Sequence, residues 1–343
     1  MPVGRRDAAS KPSADERHES DQLAFSAAAD QVDLLAEGRS PRLEPARPQP
    51  RSSFESHRER IPLCDELRIQ LAELECDSRR HGRRSCPPTT VIDLHSHILP
   101  GIDDGAASLA ESLALARAAV ADGITAIAAT PHVRSDFPTS AERMEELVDE
   151  LRAALASEQI PLELHRGGEV ALDRLHLLQP AEVRRFALAG SRYVLTEFPY
   201  GGWPLDLQDR IFRLQLDGLV PVLAHPERNA EVKADLHRLA PLVAAGALVQ
   251  ITAASIDGRL GRTTQRVALE LVSEGLAHLI ASDAHTPSIR EVGMRAAVEV
   301  LADAPLAAWL THDVPAAIVA DEPPPPRPAS LPARRSRWSL RRG

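Results

Sequence analysis

Between about residue 89 and residue 320, short runs of β-branched and aliphatic residues alternate with longer amphipathic stretches, the pattern of repeated strand–helix units. Seven strands are expected, at Val91–Leu94, Ile124–Ala129, Pro161–Leu164, Arg192–Thr196, Val220–Ala224, Leu248–Ile251 and His278–Ala281. Helices are expected to begin near Leu109, Ala141, Pro180, Leu207, Leu236, Arg262 and Ile289. Two of these starts carry capping-box spacing, Ser108 with Glu111 and Thr139 with Glu142, in which side-chain oxygens satisfy amides that the first helical turn leaves unbonded. Polar residues follow the strands throughout this region. A closed parallel barrel would bring all those strand ends to one mouth, which favours it over the alternative, an open doubly wound sheet.

The flanks read differently. Residues 1–88 are rich in Arg, Glu, Ser and Pro, with one amphipathic stretch around Leu67 to Leu74, and hold too little apolar surface to offset the entropy of ordering. They are expected to form a disordered extension. Residues 321–343 combine a PPPPRP run with Arg327, Arg334, Arg335, Arg337, Arg341 and Arg342, and are expected to form a solvated Pro/Arg-rich tail. The folded domain is therefore placed at residues 91–320.

Composition narrows the function classes. A formal net charge of -9 supplies no basic surface of the kind that nucleic acid needs. No apolar run approaches the roughly 20 residues that cross a bilayer, and the charged opening is not followed by an apolar stretch of signal-peptide length. A cytoplasmic protein without an integral membrane segment is expected. All three cysteines, Cys64, Cys76 and Cys86, precede the regular region, which argues against a disulfide framework or a thiolate zinc site there. None has an arginine six positions later, which excludes a Cys-x5-Arg phosphate loop.

The chemistry-bearing residues gather just beyond the strands. The first strand runs into Asp93-Leu94-His95-Ser96-His97, and His95 and His97, two apart on an extended chain, face the same side and can share a metal ion. His-x-His alone is a weak motif. Its context strengthens it: Thr130-Pro131-His132 follows the second strand, Gly167-Gly168-Glu169 the third, His225-Pro226-Glu227-Arg228 the fifth and Ser282-Asp283-Ala284-His285 the last. Five of the 13 histidines hold these positions. Imidazole with carboxylate, and no thiolate, suits Zn2+, Mn2+ or Fe2+ better than Mg2+ or Ca2+. The only lysines, Lys11 and Lys233, lie away from strand ends, so a metal-bridging carboxylated lysine is excluded and Glu169 takes its place in the order of ligands. Asp93 shares a face with His95 and either fixes an imidazole tautomer or is ordinary strand polarity. Asp103 and Asp104, beside Gly105, read as a ligand and a turn residue, in an order the residues themselves leave open.

From Val91 to about Ala320 the segments IDLHSHILPGIDDGA, ADGITAIAATPH, GGEVAL, YVLTEFPY, PVLAHPERN, VQITAASIDGRLG and LIASDAH resemble, in order and spacing, the PHP (polymerase and histidinol phosphatase) superfamily. The closest likeness is to its bacterial protein-tyrosine phosphatases of capsule and exopolysaccharide synthesis. The resemblance implies an α/β fold, a distorted (β/α)7 barrel, holding three divalent ions, with Mn2+ expected and Fe2+ or Zn2+ compatible. It implies His95, His97, Glu169 and Asp283 around one ion with Glu169 bridging, His225 with a second, and Asp104, His132 and His285 with the others. It chooses Asp104 over Asp103 as the ligand. It implies that Arg228 and Arg290 bind phosphate while a metal-activated water attacks phosphorus in line. The implied substrate is phosphotyrosine in the tail of a membrane-associated bacterial tyrosine autokinase. The loop after His132, VRSDFPTS, departs from the His-, Asn- and Tyr-containing stretch of such relatives, which bears on substrate choice. Relatives also begin with methionine where this chain has Val91, so a chain starting at Val91, as a GTG codon would initiate it, is expected to fold and act by itself. The rival readings are a phosphoesterase for a small metabolite and a metal-stabilised scaffold without catalysis.

Overall fold

The computed structural model describes residues 90–285 and 293–329. The 1–88 extension, Arg290 and the chain beyond residue 329 lie outside the described residues. The fold is parallel α/β. Its strands are β1 Val91–Ser96, β2 Ile124–Ala129, β3 His132–Val133, β4 Glu163–Arg166, β5 Glu169–Ala171, β6 Tyr193–Glu197, β7 Val220–Ala224, β8 Leu248–Thr252 and β9 Leu279–Ala281. Among the described residues they form two sheets, ordered β1-β2-β4 and β3-β5-β6-β7-β8-β9. All seven expected strands are present; β3 and β5 were not expected.

These two short strands arise from interruptions. Thr130-Pro131 separates β2 from β3, and Pro131 has no N–H to give to a ladder. Gly167-Gly168 separates β4 from β5, where side chains would not fit: a Cβ on Gly168 would meet the Phe186 ring at 2.6 Å. Pairing resumes when Glu169 N–H donates to the Pro131 carbonyl at 3.0 Å. His132 is then set directly opposite Glu169 in the β3–β5 register. The breaks thus carry two candidate ligands into the second sheet, side by side.

The first and last strands meet at the same level. Ser96 and Ala284 form a parallel bridge, the Asp283 N–H donates to the His95 carbonyl and the His97 N–H to the Ala284 carbonyl, each at 2.8 Å. Asp93 adds a side-chain link, accepting from the amides of Ser282 at 2.9 Å and His95 at 3.2 Å.

Helices cover the sheets through narrow apolar faces. Ala141–Ser157 buries Met144, Leu147, Val148, Leu151 and Leu155, an i, i+3, i+4, i+7, i+11 stripe. Its N-cap is Ser140, which accepts from the Arg143 amide at 3.2 Å, one residue beyond the expected Thr139. The helix Leu109–Asp122 starts where expected, with Ser108 accepting from the Glu111 amide. Among the described residues, no helix is long and apolar enough to cross a membrane.

The Pro/Arg-rich segment, expected to be solvated, starts out held against the domain. Tyr193 Oη donates to the Glu322 carbonyl at 2.7 Å, Trp309 Nε1 to the Pro325 carbonyl at 2.9 Å and Arg327 Nη2 to the Val272 carbonyl at 2.5 Å. A run of prolines offers carbonyl acceptors with no amides of its own to satisfy, which suits it to such docking.

Candidate metal centre

Every described residue expected in the site comes together, most of them at or just beyond the carboxyl ends of strands and His132 and Glu169 at the first positions of β3 and β5. Backbone geometry aims several of them. His225, directly after β7, has φ 39° and ψ 46°, and Asp283, after β9, has φ 53°. Both are left-handed conformations that L-residues adopt at a cost of order 1–3 kcal/mol, and such strain collects where a side chain must point somewhere particular.

Four atoms form the centre of the cluster. His95 Nε2 and His97 Nε2 lie 3.2 Å apart. Glu169 Oε2 is 3.5 Å from each of them, and Asp283 Oδ1 is 3.4 Å from the first and 3.5 Å from the second. In neutral rings with Nδ1 protonated, neither Nε2 would carry a proton. The Nδ1 of His95 donates to Gln250 Oε1 at 3.0 Å and that of His97 to Asp103 Oδ2 at 2.7 Å, and a neutral imidazole with Nδ1–H leaves Nε2 as a lone pair. In that neutral state two lone pairs and two carboxylate oxygens face one another and repel unless a proton or a metal cation stands between them. A cation among them turns repulsion into coordination, and four donors at about 2.1 Å from a tetrahedral ion stand about 3.4 Å apart. The separations fit a first-row divalent metal.

The cluster extends to either side. Glu169 Oε1 lies 2.8 Å from His225 Nε2, while its Oε2 also faces His132 Nδ1 at 2.8 Å, so the carboxylate spans both flanks. Beyond it, Asp104 Oδ1 is 3.3 Å from His132 Nε2 and 3.4 Å from His285 Nε2. Potential ligand groups are thus His95 with Glu169 and His225, His95 with His97 and Asp283, and His97 with Asp104, His132 and His285. A fourth group, His132 with Glu169 and Glu197, includes a residue that sequence reasoning missed. Glu169 Oε2 and His132 Nδ1 face each other at 2.8 Å without hydrogen-bonding angles, and His225 Nδ1 is buried with no hydrogen-bond partner, an arrangement that native proteins rarely tolerate unless another species satisfies it.

The electrostatics are those of a cation site. Burial works against charge on His97, but hydrogen bonds with Asp103 and Asp283 outweigh it and push the imidazole up to about 10. Burial likewise opposes ionisation of Asp283 and Glu169, and the surrounding histidines nonetheless hold both carboxyls well below their usual range. The acids attract positive charge, and a metal competes with protons for it.

The neighbours of these groups were only partly foreseen. Asp103, with its side chain fully buried, accepts from His97 Nδ1, from the His132 amide at 3.0 Å and from the Gly105 amide at 3.0 Å. It braces the site from behind while Asp104 points into it. Asp93 does not fix an imidazole: it joins β1 to the end of β9, and burial pushes its carboxyl up to about 6. The tautomer of His95 is instead set by Gln250, which the sequence does not advertise. Arg228 meets a carboxylate from another strand end. Its Nη1 pairs with Asp283 Oδ2 at 2.8 Å, while Glu227 turns away to accept from the Thr252 amide and the Ser255 hydroxyl. In the divergent loop after His132, Arg134 pairs with Glu197 at 2.9 Å and Phe137 stacks on the His132 ring at 5.7 Å.

Comparison with known proteins adds a context. The family described as capsular polysaccharide synthesis, CpsB/CapC, matches residues 91–307. The chain is 38% identical over 212 residues to tyrosine-protein phosphatase YwqE of Bacillus subtilis, covering 62% of this chain and 84% of that one. It is 34% identical over 199 residues to putative tyrosine-protein phosphatase CapC of Staphylococcus aureus, covering 57% and 77%. It is 29% identical over 243 residues to tyrosine-protein phosphatase CpsB of Streptococcus pneumoniae, covering 68% and 99%. A crystal structure from a study of YwqE and CpsB, described as unique metal-dependent tyrosine phosphatases, superposes with a TM-score of 0.63 at 33% identity, covering 71% of this chain and all of that one.

Proposed function

Because the chain belongs to the CpsB/CapC family, we propose that its strand-end cluster is the metal centre of a protein-tyrosine phosphatase. The enzyme hydrolyses phosphotyrosine in a metal-dependent reaction, as its relatives' names describe for them. The substrate is the phosphorylated tail of a bacterial tyrosine autokinase that governs capsule or exopolysaccharide assembly. The observation that carries the reading is the nest of His95, His97, Glu169 and Asp283, whose inward atoms sit at coordination separations with their outer atoms already committed.

The ligands are His95, His97, Glu169 and Asp283 around one ion, His225 with Glu169 at a second, and Asp104, His132 and His285 at a third, with Mn2+ as the expected metal. When bound, the ions supply Lewis-acid charge on the phosphoryl oxygens and lower the pKa of a water for in-line attack. The chain's own residues do the rest. Gln250 and Asp103 hold the His95 and His97 rings with Nε2 inward. Arg228, one of whose donors is taken by Asp283, turns its remaining forked donors to the equatorial oxygens. Arg290 is proposed to share that task. The seam between β1 and β9, together with β2 and β4 continuing through β3 and β5, supports a closed, distorted (β/α)7 barrel of the PHP type, in which a cytoplasmic enzyme carries its site at the mouth.

The test is hydrolysis of matched phosphotyrosyl and phosphoseryl peptides with and without Mn2+. Chelation should abolish turnover, Mn2+ should restore it, and the phosphotyrosyl peptide should be preferred. Undiminished hydrolysis by a His95→Ala/His97→Ala double variant would overturn the assignment.

A further inference from the structure

Two aromatic rings lie against the imidazoles of the centre. Phe137 stacks on His132, and Tyr200 stacks on His225 with ring centroids 5.8 Å apart and planes inclined by 13°. Their surroundings differ. The cation over Phe137 is Arg134, which is committed to Asp136 and Glu197. The cation over Tyr200 is Arg228, with its guanidinium carbon 4.6 Å from the ring centroid, the arginine assigned above to phosphate. Tyr200 is also 45% exposed although it contacts two groups of the centre.

The backbone beneath Tyr200 is fixed. Asn229, fully buried, donates from Nδ2 to the Pro199 carbonyl at 2.6 Å and the Gly202 carbonyl at 3.0 Å. The Ala230 amide donates to the Tyr200 carbonyl at 3.0 Å. Gly202, at φ 77°, makes the return turn that an L-residue would strain. A half-exposed aromatic ring on a pinned loop, next to a phosphate-binding arginine, is a surface prepared for another flat ring.

We propose that Tyr200 is a specificity-determining residue, whose ring stacks on the phenyl ring of the substrate phosphotyrosine while Arg228 holds the phosphate. This rests on the phosphatase reading above. In phosphotyrosine the ring centre lies about 4 Å from phosphorus, so a phosphate on Arg228 leaves the substrate ring able to reach Tyr200 at the roughly 4.5–7 Å centroid range of aromatic pairs. A seryl phosphate has no ring to place there. Tyr200 therefore contributes to the choice between the two substrates more than to the chemistry they share.

The experiment compares kcat/KM on phosphotyrosyl and phosphoseryl peptides of one sequence for the Mn2+-loaded full chain and its Tyr200→Ala, Tyr200→Phe and Phe137→Ala variants, with metal content measured for each. Tyr200→Ala should lower the phosphotyrosyl-to-phosphoseryl ratio roughly three- to tenfold, chiefly through KM, and Tyr200→Phe should keep it within about twofold. Equal losses on both peptides would make Tyr200 a mere support for Arg228 and overturn the proposal. So would a drop in the ratio for Phe137→Ala with none for Tyr200→Ala. A wild-type chain that turns over both peptides equally would instead defeat the tyrosine-phosphatase reading on which the proposal rests, a separate outcome.

Discussion

Replacing Asp103 by asparagine tests whether the centre is held from behind. Three donors converge on this carboxylate: His97 Nδ1 and the His132 amide on Oδ2, and the Gly105 amide on Oδ1. Asparagine keeps one acceptor oxygen and turns the other position into a donor. If its oxygen stays with His97 and His132, its NH2 faces the Gly105 N–H; if it serves Gly105, it faces two donors instead. One bond at least becomes a clash, and the carboxylate charge is gone, which burial opposes but the hydrogen bond with His97 favours strongly enough to lower Asp103 to about 2. Groups that orient a metal-bound imidazole in this way contribute roughly 10- to 100-fold in metal affinity, or about 1.4–2.8 kcal/mol. Asp103→Asn should therefore raise the Mn2+ midpoint for activating chelator-stripped protein by that factor, with turnover at saturating Mn2+ changing far less. Hydrolysis of a phosphotyrosyl peptide across a Mn2+ titration, with bound metal measured in parallel, reads both quantities. A midpoint within threefold of wild type, or a loss of turnover that added metal does not restore, would refute the reasoning.

Arg228→Lys keeps a cation opposite Asp283 but loses the fork, so kcat/KM should fall on the order of a hundredfold with metal content unchanged; metal lost along with activity would make the arginine structural. Gly105→Ala should yield metal-poor, less stable protein, because the new Cβ would lie 2.1 Å from the His97 carbonyl oxygen, backbone that cannot yield; full metal occupancy at normal stability would contradict this. His278 offers a pH test. Burial first, then Arg327, holds its imidazole down to about 4, where it accepts from the Val249 amide. The unfolded chain binds a proton near pH 6.5 that the folded chain refuses, so the stability tied to neutral His278 is present above about 6.5 and lost as pH falls toward 4. The penalty of His278→Gln in denaturant unfolding should thus shrink between pH 7.5 and pH 5, and a constant penalty would show that the folded imidazole titrates normally.

The sequence shows strands through their β-branched runs and candidate ligands through their position just after those runs. His95, His97, Glu169, His225 and Asp283 were legible for that reason. The breaks at Pro131 and Gly167-Gly168 were not recognised as interruptions within strands, since the residues beyond them, His132-Val133 and Glu169 to Ala171, are too short to show a period of their own. Gln250 was hidden because it lies inside β8, in a run that reads as apolar strand, and only the fold carries its amide to His95. Asp103 and Asp104 are adjacent in the same glycine-flanked turn, and chain geometry, not residue type, sends one behind the histidines and the other in front. Glu197 and Tyr200 lay within a segment matched to relatives, but nothing in their spacing distinguishes a site residue from a loop.

The seam between β1 and β9 sets when the centre can come into being during synthesis. Its bonds join residues 187 and 189 positions apart, and Asp283 and His285 lie at its far end. At roughly 5–20 residues per second, a ribosome needs on the order of ten to forty seconds to travel from His95 to Asp283. During that interval the growing chain can offer His95, His97, Glu169 and His225, but neither Asp283 nor His285. Early metal capture would meet an incomplete set of candidate ligands, and the full set is assembled only after the last strand has been translated.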